Sequence, residues 1–516
     1  MADPRTEPRD DLVAVLARRA LTEDAARPEA VERQHARGGR TARELVGELV
    51  DPGSLVEYGR FVTAAQEQRR SLDDLLDRTV GDGVVGGLAT IDGRPVAVVS
   101  YDYLVMAGTQ GMRGHAKTDR LLDVVERLGL PVVFFAAGGG GRPSDTDIPT
   151  VSGLDVPTFA RWAALSGRVP RVAVVNDNCF AGNAVIAGCA DLIVATPRSS
   201  LGMGGPAMIA GGGLGQVDAP DVGPLDVMTR NGVVDVAVDD GDEVDATRHL
   251  IGYFLGRQDD WTPPDPTPLR SAVPAGERTA YDLLPVIEGI CDTDSVTVLR
   301  PDFAPELCTA LGRVEGRTVG VIGNDTRFMA GAITADAGDK AARFVQLCDA
   351  HGFGIVSLVD TPGMMVGPDA ERTGLVRHTS RLLVACAQIE VPLVGVVLRR
   401  GYGLGAQAML GGSTREPVMT LAWPSAHLGP MGLEGAVRLA MRAELAAIED
   451  EDAREAKVRE LTAAMQEHAS ALNVARHGEI DDVIDPVETR GIIARLLGAA
   501  DAEGRLRPRR RPLDVW

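Results

Sequence analysis

Four glycine-bearing turns carry the residue types and spacing from which chemistry could be built. They are Ala136-Ala-Gly-Gly-Gly-Gly-Arg142, Asn178-Cys-Phe-Ala-Gly-Asn-Ala184, Val359-Asp-Thr-Pro-Gly-Met-Met365 and Arg400-Gly-Tyr-Gly-Leu-Gly-Ala406. Each stands where an apolar run ends, the place where α/β folds gather their ligands. Backbone N–H groups at a glycine turn and at a helix N-terminus can converge on one oxygen and stabilise an enolate or a tetrahedral oxyanion. Glycine suits such turns because it permits φ > 0 and lets a ligand approach the backbone.

Other chemistries leave no such trace. No GxSxG elbow, HExxH or GxxxxGK[ST] closes these runs. The eight histidines are dispersed, and of these His378 and His427 lie near the second pair of turns, where packing or hydrogen bonding competes with a role as base. Gly202-Met-Gly-Gly-Pro-Ala-Met-Ile-Ala-Gly-Gly-Gly-Leu-Gly contains loose GxGxxG matches but has neither a preceding strand nor an acidic partner in place. Its glycine-rich part, 204–215, reads as a flexible substrate loop or a tight structural one.

The turns come in pairs because the chain contains itself twice. Leu88 to Asp102 and Met106-Ala-Gly reappear, without a gap, as Leu311 to Asp325 and Met329-Ala-Gly. In the same register Lys117 falls on Lys340, Arg120 on Arg343, Gly129 on Gly352 and Gly140 on Gly363. Duplication predicts two similar domains, with the two turns of each half facing one another. Val96–Ser100 and Val319–Gly323 read as buried strands, and Lys117–Leu128 and Lys340–His351 have helical periodicity. Strands follow at Pro131-Val-Val-Phe-Phe and Gly354-Ile-Val-Ser-Leu-Val, then at Arg171-Val-Ala-Val-Val and Leu393-Val-Gly-Val-Val. This rhythm is α/β with largely parallel pairing. Residues 1 to about 45 and 436 to about 477 read as helix. The proline-rich Asp259-Asp-Trp-Thr-Pro-Pro-Asp-Pro-Thr-Pro breaks the chain, giving domains at 1–262 and 278–516 with a linker at 263–277.

A length of 516 residues, 45% hydrophobic and 24% charged, fits two globular domains. The net charge of −20 argues against nucleic acid, and no apolar run is long enough to span a membrane. The one dense basic run, Arg505 to Arg511, reads as a solvated tail or an intersubunit contact. Six scattered cysteines without CxxC spacing suit a reducing, cytoplasmic setting.

These residues resemble the carboxyltransferase (β) subunits of biotin-dependent acyl-CoA carboxylases, such as propionyl-CoA carboxylase, over almost the full length. His35-Ala-Arg-Gly-Gly-Arg-Thr-Ala-Arg-Glu looks like the family's RGKxTARER stretch, Gly138-Gly-Gly-Gly-Arg142 stands for SGGAR and Ala181-Gly-Asn-Ala-Val for AGGAV. Ala341-Ala-Arg-Phe, Asp360-Thr-Pro-Gly363, Arg377-His378, Arg399-Arg-Gly-Tyr-Gly403, Ala422-Trp-Pro and Met431-Gly-Leu-Glu-Gly-Ala436 match the second-half signature.

The resemblance implies tandem crotonase-like (ββα superhelix) domains, the first binding CoA and the second biotin. It implies carboxyl transfer from carboxybiotin, borne on a biotin carboxylase or biotin carboxyl carrier partner, to the α-carbon of an acyl-CoA. Two backbone oxyanion holes would hold the enolate and the biotin ureido anion: Gly139, Gly140, Gly182 and Asn183 for the first, Gly363, Leu404 and Gly405 for the second. Asn183 and Leu404 stand where the family has small residues. Arg142 would bind substrate, and Gln407 would help select the acyl group, its length reducing the room for the tail. No metal is implied, and the assembly would be a homo-hexamer. A biotin-dependent decarboxylase or transcarboxylase, a biotin-independent hydratase or thioesterase, and an inactive scaffold remain the alternatives.

Overall fold

Apolar β-branched runs dictate where the sheets form. The computed structural model describes residues 9–147, 151–511 and 513–516. Two compact units emerge, Met1–Leu255 and Gly256–Asp514, with Val515 grouped with the first and Trp516 with the second. In the first, β1 (Val56–Glu57) edges β2 (Val84–Ile91) and β3 (Arg94–Tyr101), which form an antiparallel hairpin. Asp92 and Gly93 turn it with φ of 51° and 74°, the two positive values a tight hairpin needs. The amphipathic helix α1 (Met112–Leu128) crosses to β4 (Val132–Phe135), and parallel pairing continues through β5 (Arg171–Val175), β7 (Leu192–Ala195) and β9 (Val236–Ala237). A separate two-stranded ladder joins β6 (Asn178–Phe180) to β8 (Ser200–Gly202). Two short helices leave this ladder, α2 (Gly182–Gly188) after β6 and α3 (Pro206–Gly211) after β8.

The second unit repeats the plan. β10 (Thr297–Leu299), β11 (Leu307–Val314) and β12 (Arg317–Asn324) are antiparallel, with Glu315 and Gly316 at φ of 51° and 74° in the hairpin turn. Helix α4 (Ala335–His351) leads to β13 (Gly354–Thr361), β14 (Leu393–Tyr402), β15 (Met419–Ala422) and β17 (Asp482–Val483), all parallel. The short β16 (His427–Gly429) pairs the end of β14, as β8 pairs β6. Helix α5 (Gly403–Met409) corresponds to α2 and α6 (Leu433–Ala440) to α3; the 19-residue α7 (Glu451–Ala469) follows. Strand order is the same in both halves. Each unit has its own core, around Phe134 and Trp162 in the first and around Leu358, Val396 and Trp423 in the second.

The duplicated lysines are structural. Buried Lys340 donates from Nζ to the carbonyls of Arg300 at 2.9 Å and Phe303 at 2.7 Å, and buried Lys117 donates to those of Val84 and Gly81. Burial pushes both amines down to about 8.

Several expectations change. The N-terminal stretch, described from residue 9, is three helices, Asp10–Ala20, Pro28–Ala36 and Ala42–Leu49. Pro28 starts the second, and a Thr41/Glu44 capping box starts the third. The 436–477 stretch is likewise divided, into α6, Arg442–Ala446, α7 and Ala471–Arg476. The proline-rich segment belongs to the second unit, where the short helix Leu269–Ala272 buries Leu269 in the core. The basic tail is held within its own unit, Arg511 pairing Asp349 at 2.9 Å while Arg509 and Arg511 both pair Glu390. Among the described residues no helix is long and apolar enough to cross a membrane.

Candidate functional site

Each half brings its two turns together, as the duplication predicted. In the first, Gly138 donates to Asn178 O at 2.7 Å and accepts from Phe180 N–H at 2.9 Å, which joins the turn after β4 to β6. Gly140, at φ 87°, lies so near the start of α2 that a Cβ there would stand 2.8 Å from the Ala181 methyl. In the second half a Cβ on Gly405 would stand 2.7 Å from Gly363 Cα. Side chains at either place would force the turns apart.

The donors are not all the expected ones. Gly139 N–H is engaged by Ala107 O at 3.1 Å and Gly140 N–H by Asn183 Oδ1 at 2.9 Å. Gly363 N–H is engaged by Thr361 Oγ1 at 3.1 Å. The expectation that these three offer donors to a ligand is corrected on that ground: each N–H already has an acceptor inside the fold. They seat the next residue instead. Among the described residues, Gly141 and Met364 have N–H groups with no acceptor, and so do Gly182 and Asn183 at the start of α2 and Leu404 and Gly405 at the start of α5. The first N–H groups of a helix lack intrahelical partners and carry the positive end of its dipole. Each half therefore offers a helix start and a facing turn with open donors, an arrangement suited to an anionic oxygen.

Asn183 keeps its backbone in this set while its side chain is buried beneath the turn, Nδ2 reaching Ala136 O at 3.1 Å and Gly108 O at 3.4 Å. Leu404 turns outward, 65% exposed. The elbow where each helix begins has positive φ, 52° at Ala181 just before α2 and 59° at Gly403, the first residue of α5. Under both turns runs a left-handed stretch, Met106, Ala107 and Gly108 at φ 49°, 54° and 65°, and Met329, Ala330 and Gly331 at 46°, 54° and 77°.

Arg142 does not face a ligand. Its side chain is 2% exposed, paired with Asp82 and, at 3.5 Å, with Asp145, and it donates to Thr109 O at 2.8 Å. A guanidinium so enclosed braces the turn, which corrects its expected role. Burial pushes the Asp82 carboxyl up, against the pull of Arg142. Gln407 is exposed on a cavity of about 580 Å³ in the second unit, walled by Leu404, Leu410, Thr414, Leu428 and Val474. Ser413, His468, Asn473, His477 and Glu479 line the same cavity, so the surroundings of Gln407 are mixed in polarity.

The histidines take supporting places. His378 Nδ1 meets Asp339 Oδ2 at 2.6 Å, and His427 lies 3.7 Å from Glu277. His115 Nδ1 bonds Thr158 Oγ1 at 2.9 Å and its ring meets Phe159 edge-on at 5.8 Å; Phe159 in turn borders Gly182. Burial, aided by Arg142, pushes His115 down to about 4, so it is neutral at ordinary pH. Asp360 was missed as a working residue. Wholly buried, it accepts from Arg399 Nε at 2.9 Å and Arg400 Nε at 2.7 Å, fixing the end of β14 that delivers α5. Two arginines closing an apolar strand were the available signal, because a buried charge needs a partner.

Residues 33–512 match the carboxyl transferase domain family. The methylmalonyl-CoA carboxyltransferase 12S subunit of Propionibacterium freudenreichii subsp. shermanii is 34% identical over 93% of this chain and 92% of its own. The propionyl-CoA carboxylase beta chain of Saccharopolyspora erythraea is 32% identical over 91% and 89%. A solved single-chain, multi-domain long-chain acyl-CoA carboxylase superposes with a TM-score of 0.90 at 50% identity, covering 95% of this chain and 49% of that longer one, so this chain spans about half of it. The transcarboxylase 12S hexamer, solved with methylmalonyl-CoA and methylmalonic acid bound, superposes with a TM-score of 0.82 at 30% identity over 98% of both chains. By its paired turns, its duplicated sheets and these likenesses along nearly its whole length, the chain belongs to the carboxyl transferase domain family.

Proposed function

We propose that this chain is the carboxyltransferase subunit of a biotin-dependent acyl-CoA carboxylase, moving a carboxyl group onto the α-carbon of an acyl-CoA. One observation carries the reading: two sets of open N–H donors, one per half, each at a helix start opposite a turn. A reaction between two carbonyl-bearing partners calls for two anion sites. The relatives named for propionyl-CoA, methylmalonyl-CoA and long-chain acyl-CoA support the substrate class.

Gly182 and Asn183, with Gly141 opposite, would hold the thioester oxygen as negative charge gathers on it. Leu404 and Gly405, with Met364 opposite, would hold the second carbonyl oxygen. Biotin on a partner carrier subunit supplies the activated carboxyl group, and the donors present fit its ureido oxygen. The donors are main-chain groups set by sheet, turn and buried braces, so they need no reorganisation as charge develops, and a single such donor is worth about 10²- to 10³-fold in rate. The chain's part is to orient and to stabilise. We place CoA on the first unit and the carrier on the second, in a cytoplasmic homo-hexamer, an assembly supported by the 12S relative.

The test is transfer of labelled carboxylate from a carboxylated biotinylated carrier to propionyl-CoA. Label in the CoA thioester, retained when His378→Ala or His427→Ala is introduced, is the expected result. No transfer and no binding of any CoA thioester by the folded protein would overturn the reading.

A further inference from the structure

Gln110, in the loop before α1, touches both sides of the first donor set. Its N–H donates to Gly140 O at 2.8 Å and its carbonyl accepts from Arg142 N–H at 2.9 Å. The main chain of Gln110 thereby brackets Gly141, the open donor of the turn. Its side chain crosses to the helix. A Cβ on Gly182 would stand 2.1 Å from Gln110 Oε1 and 2.9 Å from Phe159 Cζ, so the start of α2 lies between the amide and the ring. The amide is held in place from behind. Gln110 is buried, and its Nε2 donates at 2.7 Å to the Tyr101 hydroxyl. Tyr101 is itself buried at the end of β3, its ring 5.1 Å from that of Phe134.

The other half has the bracket without the wedge. In the register of the repeat Ile333 stands for Gln110 and Asn324 for Tyr101. Ile333 N–H donates to Gly363 O at 3.1 Å and its carbonyl accepts from Met365 N–H at 2.9 Å, which frames Met364 as Gln110 frames Gly141. The Ile333 side chain has no polar atom to carry further. Leu404 takes the place of Gly182, one residue past the positive-φ elbow, and its side chain turns outward. The atoms nearest a Cβ on Gly405 all belong to Gly363. The helix start of the second half thus meets its turn directly. That of the first meets, in addition, a side chain that belongs to neither element.

We propose that Gln110 is a positioning residue for carboxyl transfer: its amide, anchored on Tyr101, sets the distance between Gly141 N–H and the N–H groups of Gly182 and Asn183. The proposal rests on the reading of these groups as holders of the thioester oxygen. An oxygen held from two sides responds to the spacing of its donors, because hydrogen bonds weaken outside a narrow range of length and angle. Donors aimed where charge develops act on the rate more than on ground-state binding. Without the anchor the start of α2 settles toward the space the amide leaves. The rate then falls while the bulk of the CoA thioester is bound as before.

Tyr101→Phe, Gln110→Met and the double variant, made in the full chain, test the assignment. Each single variant is expected to lower kcat for carboxyl transfer to propionyl-CoA at least about tenfold, with KM within about twofold of the wild type. The double variant is expected to fall no further than the worse single one, since both changes break one contact. Infrared spectra of bound propionyl-CoA, labelled with heavy carbon at the thioester carbonyl, give a second readout. The carbonyl band is expected to lie lower on the wild type than in solution, and to move back toward the solution position in each variant. Tyr101→Phe removes a single oxygen and decides the matter where Gln110→Met does not fold. An unchanged kcat and band in Tyr101→Phe, a loss confined to KM, or losses that add in the double variant overturn the proposal, while wild-type transfer with a lowered band leaves the carboxyltransferase reading standing. A wild type that shows neither transfer nor a lowered band overturns both.

Discussion

Gly140 and Gly363 occupy corresponding turns, and each is tied down by a side-chain oxygen drawn from a different place. In the first half one residue does the work: Asn183, on α2, accepts from Gly140 N–H and donates to the carbonyls of Ala136 and Gly108. In the second half the work is divided. Thr361, within the turn itself, accepts from Gly363 N–H, and Asn324, on β12, donates to Gly331 O at 3.1 Å and accepts from Asp360 N–H at 3.2 Å. An amide beneath one turn and a hydroxyl plus an amide beneath the other leave the same backbone positions open. A bulky residue at a donor position is therefore no sign of decay. What matters is where its side chain goes: inward for Asn183, outward for Leu404.

The largest effects should come from closing either site. Gly140→Val or Gly405→Val places a side chain where the facing turn already stands, and carboxyl transfer should fall by about 10²-fold or more. Kinetics on variants that keep wild-type mass and circular dichroism check this, and loss from one half alone would show that only one donor set works. Next, Asn183→Gly leaves Gly140 N–H and Gly108 O without partners, at about 1–3 kcal/mol for each unsatisfied group, while Ala136 O keeps the Cys179 thiol. A lower melting temperature and a lower rate should follow. Adding Gly138→Thr, at the residue that matches Thr361, should not recover the loss, because a Cβ at Gly138 would stand 2.3 Å from Gly108 O.

Smaller effects separate the halves further. Gln407→Ile should change the ratio of kcat/KM between acetyl-CoA and decanoyl-CoA by about tenfold, whereas an unchanged ratio would assign Gln407 to assembly. His115 has no second-half match, since Gly338 stands there. Its folded pKa of about 4 lies below the ordinary 6.5. As pH falls from 6.5 to 4 the unfolded chain takes up a proton that the folded one refuses, and stability drops across that window. Melting temperatures of His115→Gln should fall less than those of the wild type over the same range.

Much of this is legible in the sequence. The gap-free repeat implied equal sheets, and apolar runs of Val, Ile and Leu marked β3, β4, β5 and their counterparts. Glycine clusters marked the turns and even their facing pairs. Hydrogen-bond direction was not legible. Nothing in Gly139-Gly140 tells whether an N–H meets a ligand or Ala107 O, because the acceptor lies far along the chain. Arg142 looked like a ligand contact because its partner Asp82 is 60 residues away. The long helical readings failed where short connections between α6 and α7 kept the same composition as the helices they interrupt.

The Met-Ala-Gly stretches at 106–108 and 329–331 hold one more message. Two consecutive non-glycine residues at positive φ are strained, at about 1–3 kcal/mol each, and such a turn is not reached twice by drift. Both halves keep it with the same three residues and nearly the same angles, whereas the amide and hydroxyl braces above it differ. The two halves therefore share the strained turn and differ in the braces above it. The common bend sets the floor of each turn, and what distinguishes the two anion sites is built on top of it.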